Sequence, residues 1–171
     1  MESNGENKII NKVAESDLIT LDLEDFFPKV EIVPFDLKKY LFHELVLKEK
    51  DFREALRAHD WEQYKGKTVA IHCSADAIIP MWAFMLVGVH LNGIATYHSG
   101  NEKEVLEKLF LDSLKKISIQ DYLGKRVLVK GCGDKEVPQS VFVEASSILL
   151  PVVKSLMYGE ACSNVPLMKR K

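Results

Sequence analysis

Short apolar runs rich in β-branched residues recur along this chain, between longer segments with helical spacing. Five of the short runs have the length and composition of strands, at residues 18–23, 30–36, 68–72, 94–98 and 127–130. Strands that alternate with helices are typical of parallel sheets joined by crossover helices. The pattern therefore predicts an α/β fold in three layers, with a mostly parallel sheet, helices on both faces and one or two N-terminal strands at the edge.

The segments between these strands carry apolar residues three and four positions apart. This spacing predicts helices at 51–59, 79–91, 102–116 and 140–157. We expect Pro151 to kink the last helix and Gly159 to end it, with a basic, solvated tail at 167–171. Asp36 is placed to cap a helix that begins at Leu37.

The length of the chain and its polar start indicate the domain organisation. The chain has 171 residues, which suits one hydrophobic core. Residues 1–7 are polar, contain no apolar segment typical of a signal peptide, and are predicted to be disordered. Residues 8–171 are then predicted to form a single α/β domain, beginning with a short amphipathic helix at 9–16.

Charge and cysteine content exclude several classes of protein. The net charge is -2, and without a basic cluster we expect no nucleic-acid partner. The apolar run 77–94 contains His90, Asn92 and two glycines, so we interpret it as a buried helix and expect no membrane association. An odd number of cysteines, three, without an export signal predicts reduced thiols in the cytoplasm rather than a disulfide framework.

All three cysteines stand in small polar turns rather than within apolar runs. Cys73 follows the strand 68–72, and Cys132 follows the strand 127–130 in the same way. After each cysteine the chain continues to a proline and then to a helix. Cys162 lies in a third such turn. Because parallel strands end at one edge of a sheet, we expect Cys73, His98 and Cys132 at the same edge, beside helix amino ends that favour thiolates.

One hypothesis is a metal site formed by Cys73, Cys132 and Cys162. Soft metals bind thiolates, and either zinc or an iron–sulfur cluster accepts three cysteines with one further ligand. The alternative for each thiol is plain packing as a small apolar group, which the polar turns disfavour. The fourth ligand would come from one of four nearby side chains, Asp76, His72, His98 or Asp134.

A second hypothesis is a thiol-dependent enzyme in which Cys73 is the nucleophile. A thiol at the amino end of a helix has the electrostatics of an activated nucleophile. Asp76 or His98 would assist the thiol, and the backbone amides that follow it would form an anion hole. Separately, Ser74, Ser99 and Gly133, with the amides after them, are candidates to hold an anion. A third hypothesis is a structural module, in which the apolar helix after Pro80 mediates a homodimer and the thiols merely pack.

Several stretches of the chain resemble a bacterial family of proteins of unknown function, the DUF2480 family, and the resemblance covers nearly the whole chain. The stretches are Leu21-Asp-Leu-Glu-Asp-Phe, Leu47-Lys-Glu-Lys-Asp-Phe-Arg-Glu, Cys73-Ser-Ala-Asp-Ala-Ile-Ile-Pro-Met-Trp-Ala, Lys130-Gly-Cys132 and Gly159-Glu-Ala-Cys-Ser-Asn-Val-Pro-Leu. Nine positions match the family pattern, at Cys73, Ser74, Asp76, Pro80, Trp82, Cys132, Pro138, Cys162 and Pro166.

The resemblance also bears on the site and its partners. It favours Asp76 over His72 and His98 as the fourth ligand, since neither histidine clearly belongs to the family pattern. Members of the family tend to be encoded beside genes for iron–sulfur cluster assembly. The resemblance therefore implies iron or sulfur handling, with iron–sulfur assembly proteins as partners.

Overall fold

The computed structural model describes residues 18–170 and divides them into two compact units. We call residues 18–27 together with 113–170 the terminal unit, and residues 28–112 the central unit. Both units are built from helices and mostly parallel strands, which confirms the predicted α/β class. The predicted disordered terminus at 1–7 and the predicted helix at 9–16 lie outside the described residues.

Within the described residues there are nine strands and four α-helices. The strands are β1 (Leu18–Asp22), β2 (Ile32–Asp36), β3 (Leu41–Phe42), β4 (Val46–Leu47), β5 (Thr68–His72), β6 (Thr96–Ser99), β7 (Arg126–Lys130), β8 (Ser155–Glu160) and β9 (Ser163–Lys169). The helices are α1 (Glu49–Ala58), α2 (Met81–Leu91), α3 (Glu102–Leu114) and α4 (Gln139–Leu149).

The central unit contains a parallel sheet in the order β2-β5-β6 and a small hairpin of β3 and β4. Helix α2 connects β5 to β6, so these three elements form a βαβ unit. Apolar residues of β5 are buried in succession, as expected for a strand covered on both faces. The core of the central unit contains side chains from β2, β5, α1 and α2, among them Phe35, Phe52, Leu56, Val69, Ile71, Ala83, Val87 and Leu91.

The terminal unit contains a second sheet in the order β1-β7-β8-β9. Strands β1, β7 and β8 are parallel, and β9 returns antiparallel to β8 through a short turn. Helix α4 makes the crossover from β7 to β8. The buried side chains of this unit include Leu21, Leu23, Val127, Leu128, Val141, Ala145, Leu149 and Leu156.

The structure corrects the predicted C-terminal helix. Helix α4 ends at Leu149, and β8 occupies residues that we predicted to be helical. Pro151 has no backbone N–H and clashes with the carbonyl four residues before it, so the helix stops there instead of bending. Gly159 lies inside β8 with φ +119 and does not end a helix. The tail is largely exposed, as expected, at Leu167, Lys169 and Arg170, but it also forms strand β9 up to Lys169, which was not predicted.

The strands are divided between two sheets, whereas the sequence analysis placed them in one. Strands β5 and β6 belong to the central unit, and β7 belongs to the terminal unit. Cys73 and Cys132 therefore follow strands of different sheets, and they do not share a sheet edge. Hydrophobic patterning identifies a strand without specifying its partner, which explains the difference.

The two units repeat one order of elements. Each begins with a strand that ends in Asp, Asp22 in β1 and Asp36 in β2, and this Asp caps a 3₁₀ helix that starts at the following leucine. A second strand follows later in the chain, β7 in one unit and β5 in the other, and each pairs in parallel with the first. The repeat noted in the sequence therefore includes the partner strand of each cysteine-bearing segment.

Helices α2 and α4 are the matching helices of this repeat. Each has 11 residues and follows a proline, Pro80 or Pro138. When the two helices are aligned at these prolines, their buried residues fall at the same positions. These residues are Ala83, Val87 and Leu91 in α2, and Val141, Ala145 and Leu149 in α4. The alignment supplies matched positions for comparing the outer faces of the two helices.

Candidate functional site

A polar cavity lies at the carboxyl end of β7 in the terminal unit. Its volume is about 220 Å³. Four carboxylates, one ammonium group and one thiol contribute to its lining, which consists of Asp22, Glu24, Lys130, Cys132, Gly133, Asp134 and Glu160. Because the carboxylates outnumber the ammonium group, the cavity attracts cations.

Asp22 and Lys130 form an ion pair in this cavity. They face each other in the register of β1 and β7, and Lys130 Nζ lies 2.8 Å from Asp22 Oδ2. The hydrogen bond from Lys130 lowers the pKa of Asp22 and raises the pKa of Lys130 itself. Asp22 Oδ1 also accepts the backbone N–H of Glu24 at 3.1 Å. One carboxylate is thus neutralised, and three remain around the thiol.

The Cys132 thiol is exposed and contacts the Tyr158 hydroxyl. The Sγ and Oη atoms are 3.0 Å apart. A phenol ordinarily loses its proton at a higher pH than a thiol, so Tyr158 is the donor once Cys132 becomes a thiolate. The hydrogen bond with Cys132 and the sulfur's charge raise the pKa of Tyr158. The pair can therefore hold a thiolate in a fixed position at the cavity.

The backbone amide after Cys132 is already occupied. The N–H of Gly133 donates to the carboxylate of Glu24, on the 3₁₀ helix that follows β1. A Cβ at position 133 would collide with this carboxylate, so glycine permits the approach. The anion site that we predicted near Gly133 is filled by a carboxylate of the protein.

Cys162 lies in the two-residue turn between β8 and β9, and its side chain is exposed. Strands β7 and β8 are parallel neighbours. Cys132 and Cys162 each follow the last residue of their strand by two positions, so both lie at the same edge of the terminal sheet. Glu160, the last residue of β8, lines the cavity with Cys132.

Cys73 occupies the matching place in the central unit, but its surroundings are mostly apolar. The thiol is half-buried, with Sγ 3.7 Å from the carbonyl oxygen of Ala75. A cavity of about 350 Å³ adjoins it, lined by Ile71, His72, Cys73, Ala75, Ala77, Ile79, Met81, Phe84, Ser99 and Gly100. The two cysteines of the repeat therefore face different chemistry, acidic at Cys132 and apolar at Cys73.

Asp36 binds the residue that follows Cys73. Its Oδ1 accepts the Ser74 N–H at 3.0 Å, and its Oδ2 accepts the Ser74 hydroxyl at 2.5 Å. Partial burial raises the pKa of Asp36, but the bonds from Ser74 and Lys38 outweigh it and the pKa is lowered overall. His72 Nε2 lies 4.0 Å from Oδ2. The predicted anion site at Ser74 is thus filled by Asp36, as Glu24 fills the one at Gly133.

The other predicted ligands are distributed between the two units. Asp76 is exposed in the segment between Cys73 and α2. His98 is absent from the lining of the Cys73 cavity; burial and the charge of Lys108 lower its pKa. Asp134 lines the same cavity as Cys132. Two of the candidates for a fourth ligand thus line a cavity with a cysteine, His72 with Cys73 and Asp134 with Cys132.

Four residues of the terminal site were missed by the sequence analysis. Asp22, Glu24, Tyr158 and Glu160 all contact or line the Cys132 cavity. The two Asp-Leu pairs are the signal that would have identified Asp22, since in each pair the Asp ends a strand and caps a 3₁₀ helix that begins at the Leu. Tyr158 and Glu160 were both assigned to the segment after the predicted helix 140–157, so their place beside Cys132 could not be inferred.

Within residues 18–170 there is neither a preformed metal site nor a helix that could span a membrane. No group of three or more His, Cys, Asp or Glu side chains is already arranged to hold a metal ion. None of the helices in this part of the chain has the length and apolar character needed to cross a membrane.

The fold and the cavities define an α/β protein of two similar units, each with a cysteine after a parallel strand. The chain belongs to the DUF2480 family of proteins of unknown function, whose sequence profile matches residues 7–170. Comparisons with curated proteins and with solved structures find no match. The resemblance that we inferred from the motifs is confirmed.

Replacement of Tyr158 by phenylalanine tests whether its hydroxyl stabilises the Cys132 thiolate. We expect alkylation of Cys132 at neutral pH to slow severalfold, because the thiolate loses the hydrogen bond from the Tyr158 hydroxyl. Limiting iodoacetamide followed by peptide mass spectrometry measures each cysteine separately. The rate at Cys162 is the internal control and should not change. An unchanged or faster rate at Cys132 would contradict the assigned role of Tyr158.

Proposed function

We propose that this protein binds a soft or borderline metal ion, such as Zn²⁺ or Fe²⁺, at the cavity of the terminal unit. The observation that carries the proposal is the lining of that cavity, which contains one thiol, four carboxylates and one lysine. Thiolate with carboxylate oxygen is a donor set that zinc and iron accept. The backbone amide of Gly133, which would otherwise favour an anion, donates to Glu24, and this supports a cation as the ligand.

Cys132 is the central ligand in this proposal. Asp134 is exposed, and Glu160 ends the neighbouring strand, so both can turn toward the thiol without disturbing the core. Cys162 supplies a second thiolate from the same edge of the sheet. These rotations are required, since no set of three ligands is preformed within residues 18–170. Tyr158 would donate to the ligating sulfur and fix its orientation.

The ligand set predicted from the sequence was Cys73, Asp76, Cys132 and Cys162. Cys73 and Asp76 belong to the central unit, and the other two belong to the terminal unit. Our proposal rests on Cys132 and Cys162, with Asp134 and Glu160 as oxygen donors. It differs from the three-cysteine site in one measurable respect, the effect of replacing Cys73.

The biological role that we attach to this site is accessory to iron–sulfur cluster assembly in the cytoplasm. The cytoplasm keeps exposed thiols such as Cys132 and Cys162 reduced, and both must be reduced to bind metal. An open site with few preformed ligands suits a metal or cluster that is received and passed on. Iron–sulfur assembly proteins are the expected partners.

The thiol enzyme has less support. Its anion site would need the amides that follow Cys73, and the first of these, the Ser74 N–H, already donates to Asp36. Its base would be His98 or Asp76; His98 lies outside the lining of the Cys73 cavity. The packing alternative fits Cys73 better than Cys132, whose side chain is exposed.

Metal titration of protein purified anaerobically and without chelator tests the proposal. We expect one equivalent of Zn²⁺ or Fe²⁺ to bind, and Cys132→Ser to weaken the affinity about 100-fold, because a thiolate ligand is lost. Cys73→Ser is the matched control, at the equivalent position of the other unit, and should bind as the wild type does.

Two results would contradict parts of this proposal. Equal affinity in wild type and Cys132→Ser would exclude a metal site at the terminal cavity. Equal losses in Cys73→Ser and Cys132→Ser would replace our ligand set with the three-cysteine site.

A further inference from the structure

The outer face of α2 exposes a continuous row of large apolar side chains. Met81, Met85 and Val89 follow one another at intervals of four residues, and they are exposed by 71%, 70% and 68%. Ile78, just before the helix, is exposed by 96%. Residues four apart lie on one face of a helix, so Met81, Met85 and Val89 form a single stripe. We call these three side chains, together with Ile78 before the helix, the α2 stripe.

The inner face of α2 already packs against its own unit. Ala83, Val87 and Leu91 are fully buried in the core of the central unit. The α2 stripe lies on the opposite side, and the helix carries no charged residue apart from the titratable His90. A solvent-facing helix surface normally alternates charged and polar side chains, which are missing here.

The matching helix of the terminal unit has a mixed outer face. The positions of α4 that correspond to Met81, Met85 and Val89 hold Gln139, Val143 and Ser147. Only Val143 among them is a large apolar residue, exposed by 70% as Met85 is. Helix α4 occupies the same place in its unit without an apolar outer face. The fold of the unit therefore does not by itself explain the α2 stripe.

We propose that the α2 stripe binds a second copy of this chain in a symmetric homodimer. An uncharged stripe is complementary to itself, and around a two-fold axis each stripe contacts its own copy. The four side chains present on the order of 600 Å² of apolar surface, near the upper limit for monomers and about three quarters of the roughly 800 Å² that each partner of a standard interface buries. Partly exposed neighbours, Trp82 and Phe84, extend this area.

The ends of the stripe have the polarity expected of an interface rim. Asp76 precedes it and Asn92 follows it, and both are exposed. Apolar centres with polar rims are characteristic of interfaces that form in water. Two methionines at the centre allow two copies of the same surface to fit together, because the methionine side chain is unbranched and adaptable.

Sedimentation equilibrium of the full chain tests the proposal, with Met85→Glu as the disrupting variant and Val143→Glu as its matched control. We expect the wild type and Val143→Glu to be dimeric at about 100 µM, and Met85→Glu to weaken dimerisation at least about 100-fold, since two carboxylates would be buried without partners. Met85 is exposed, so the variant should keep the circular dichroism spectrum of the wild type. Val89→Lys serves as a second disrupting variant.

Any of three outcomes would overturn the proposal. A monomeric wild type at this concentration would leave the stripe to another segment of this chain or to a different protein. Dimers that survive in both Met85→Glu and Val89→Lys would place the interface elsewhere. A monomeric Val143→Glu would show that α4, and not the α2 stripe, forms the contact.

Discussion

Replacement of Asp36 by alanine is expected to destabilise the central unit by about 3 kcal/mol. The carboxylate caps the 3₁₀ helix through Lys38 and binds both the N–H and the hydroxyl of Ser74. Its side chain is only 19% exposed, so water does not readily replace these bonds. A lost cap costs about 1 kcal/mol, and lost bonds to a charged group cost about 1.5–3 kcal/mol.

Tryptophan fluorescence during urea unfolding measures this effect selectively. Both tryptophans, Trp61 and Trp82, belong to the central unit, so the signal reports its unfolding. Asp76→Ala is the matched control, because Asp76 is exposed and nearby, and we expect it to change stability by less than about 0.5 kcal/mol. Equal midpoints for Asp36→Ala and Asp76→Ala would contradict the structural role of Asp36.

The same comparison has a predictable dependence on pH. The pKa of Asp36 in the folded unit is below its ordinary value of 3.8. The contribution of its carboxylate is therefore fully present above pH 3.8 and is lost as the pH falls through the folded pKa. The difference in stability between wild type and Asp36→Ala should narrow in that acid range.

Replacement of Gly159 by alanine is expected to destabilise the terminal unit by about 3 kcal/mol. Gly159 has φ +119, a conformation that costs other residues about 1–3 kcal/mol. An added Cβ would also lie 2.6 Å from the backbone oxygen of Ser163, on the paired strand β9. Because that oxygen belongs to the backbone, the clash is relieved only if the hairpin itself shifts.

Hydrogen exchange of the amides in β8 and β9 measures the Gly159 effect where it arises. Gly124→Ala is the control within the same unit, since Gly124 has φ +68 but open space around the position of a Cβ. We expect that control to cost only about 1 kcal/mol. Equal protection in the two variants would mean that the close approach to Ser163 has no energetic consequence. The hairpin also carries Cys162, so Gly159→Ala should weaken metal binding at the same time.

Local pattern predicted the elements whose period was clear. The strand 68–72 was predicted with its observed bounds, and Asp36 caps the helix that begins at Leu37 as expected. Strand β8 was missed because Ser155, Leu156 and Met157 are buried in succession and show no alternation. A buried strand of this kind resembles the end of an apolar helix when only its periodicity is considered.

The sequence indicated the cysteines of the proposed site, but it did not indicate the residues that surround them. The turns around Cys132 and Cys162 marked both residues, and the structure places both at one edge of the terminal sheet. Glu24 reaches Gly133 across a separation of 109 residues, because β1 pairs with β7 and not with a neighbour in sequence. No local pattern specifies such pairing. For the same reason Cys73 and Cys132 were predicted at one edge of a single sheet, although their strands belong to two sheets.

The internal repeat clarifies what distinguishes the two thiols. In both units a carboxylate accepts the backbone N–H of the residue that follows the cysteine. Asp36, at the end of β2, accepts the N–H of Ser74, and Glu24, in the 3₁₀ helix after β1, accepts the N–H of Gly133. The shared feature is therefore structural. The acidic lining is found at Cys132, and the apolar lining is found at Cys73. This difference is why we assign metal binding to the terminal unit.

The absorption spectrum of the protein with Co²⁺ is the most direct test of that assignment. Cobalt accepts the donors that zinc accepts, and a cobalt–thiolate bond gives a charge-transfer band in the near ultraviolet. We predict this band in the wild type and in Cys73→Ser, a weaker band in Cys162→Ser, and none in Cys132→Ser. A wild type without the band, or a band that persists unchanged in Cys132→Ser, would contradict a metal site at the terminal cavity.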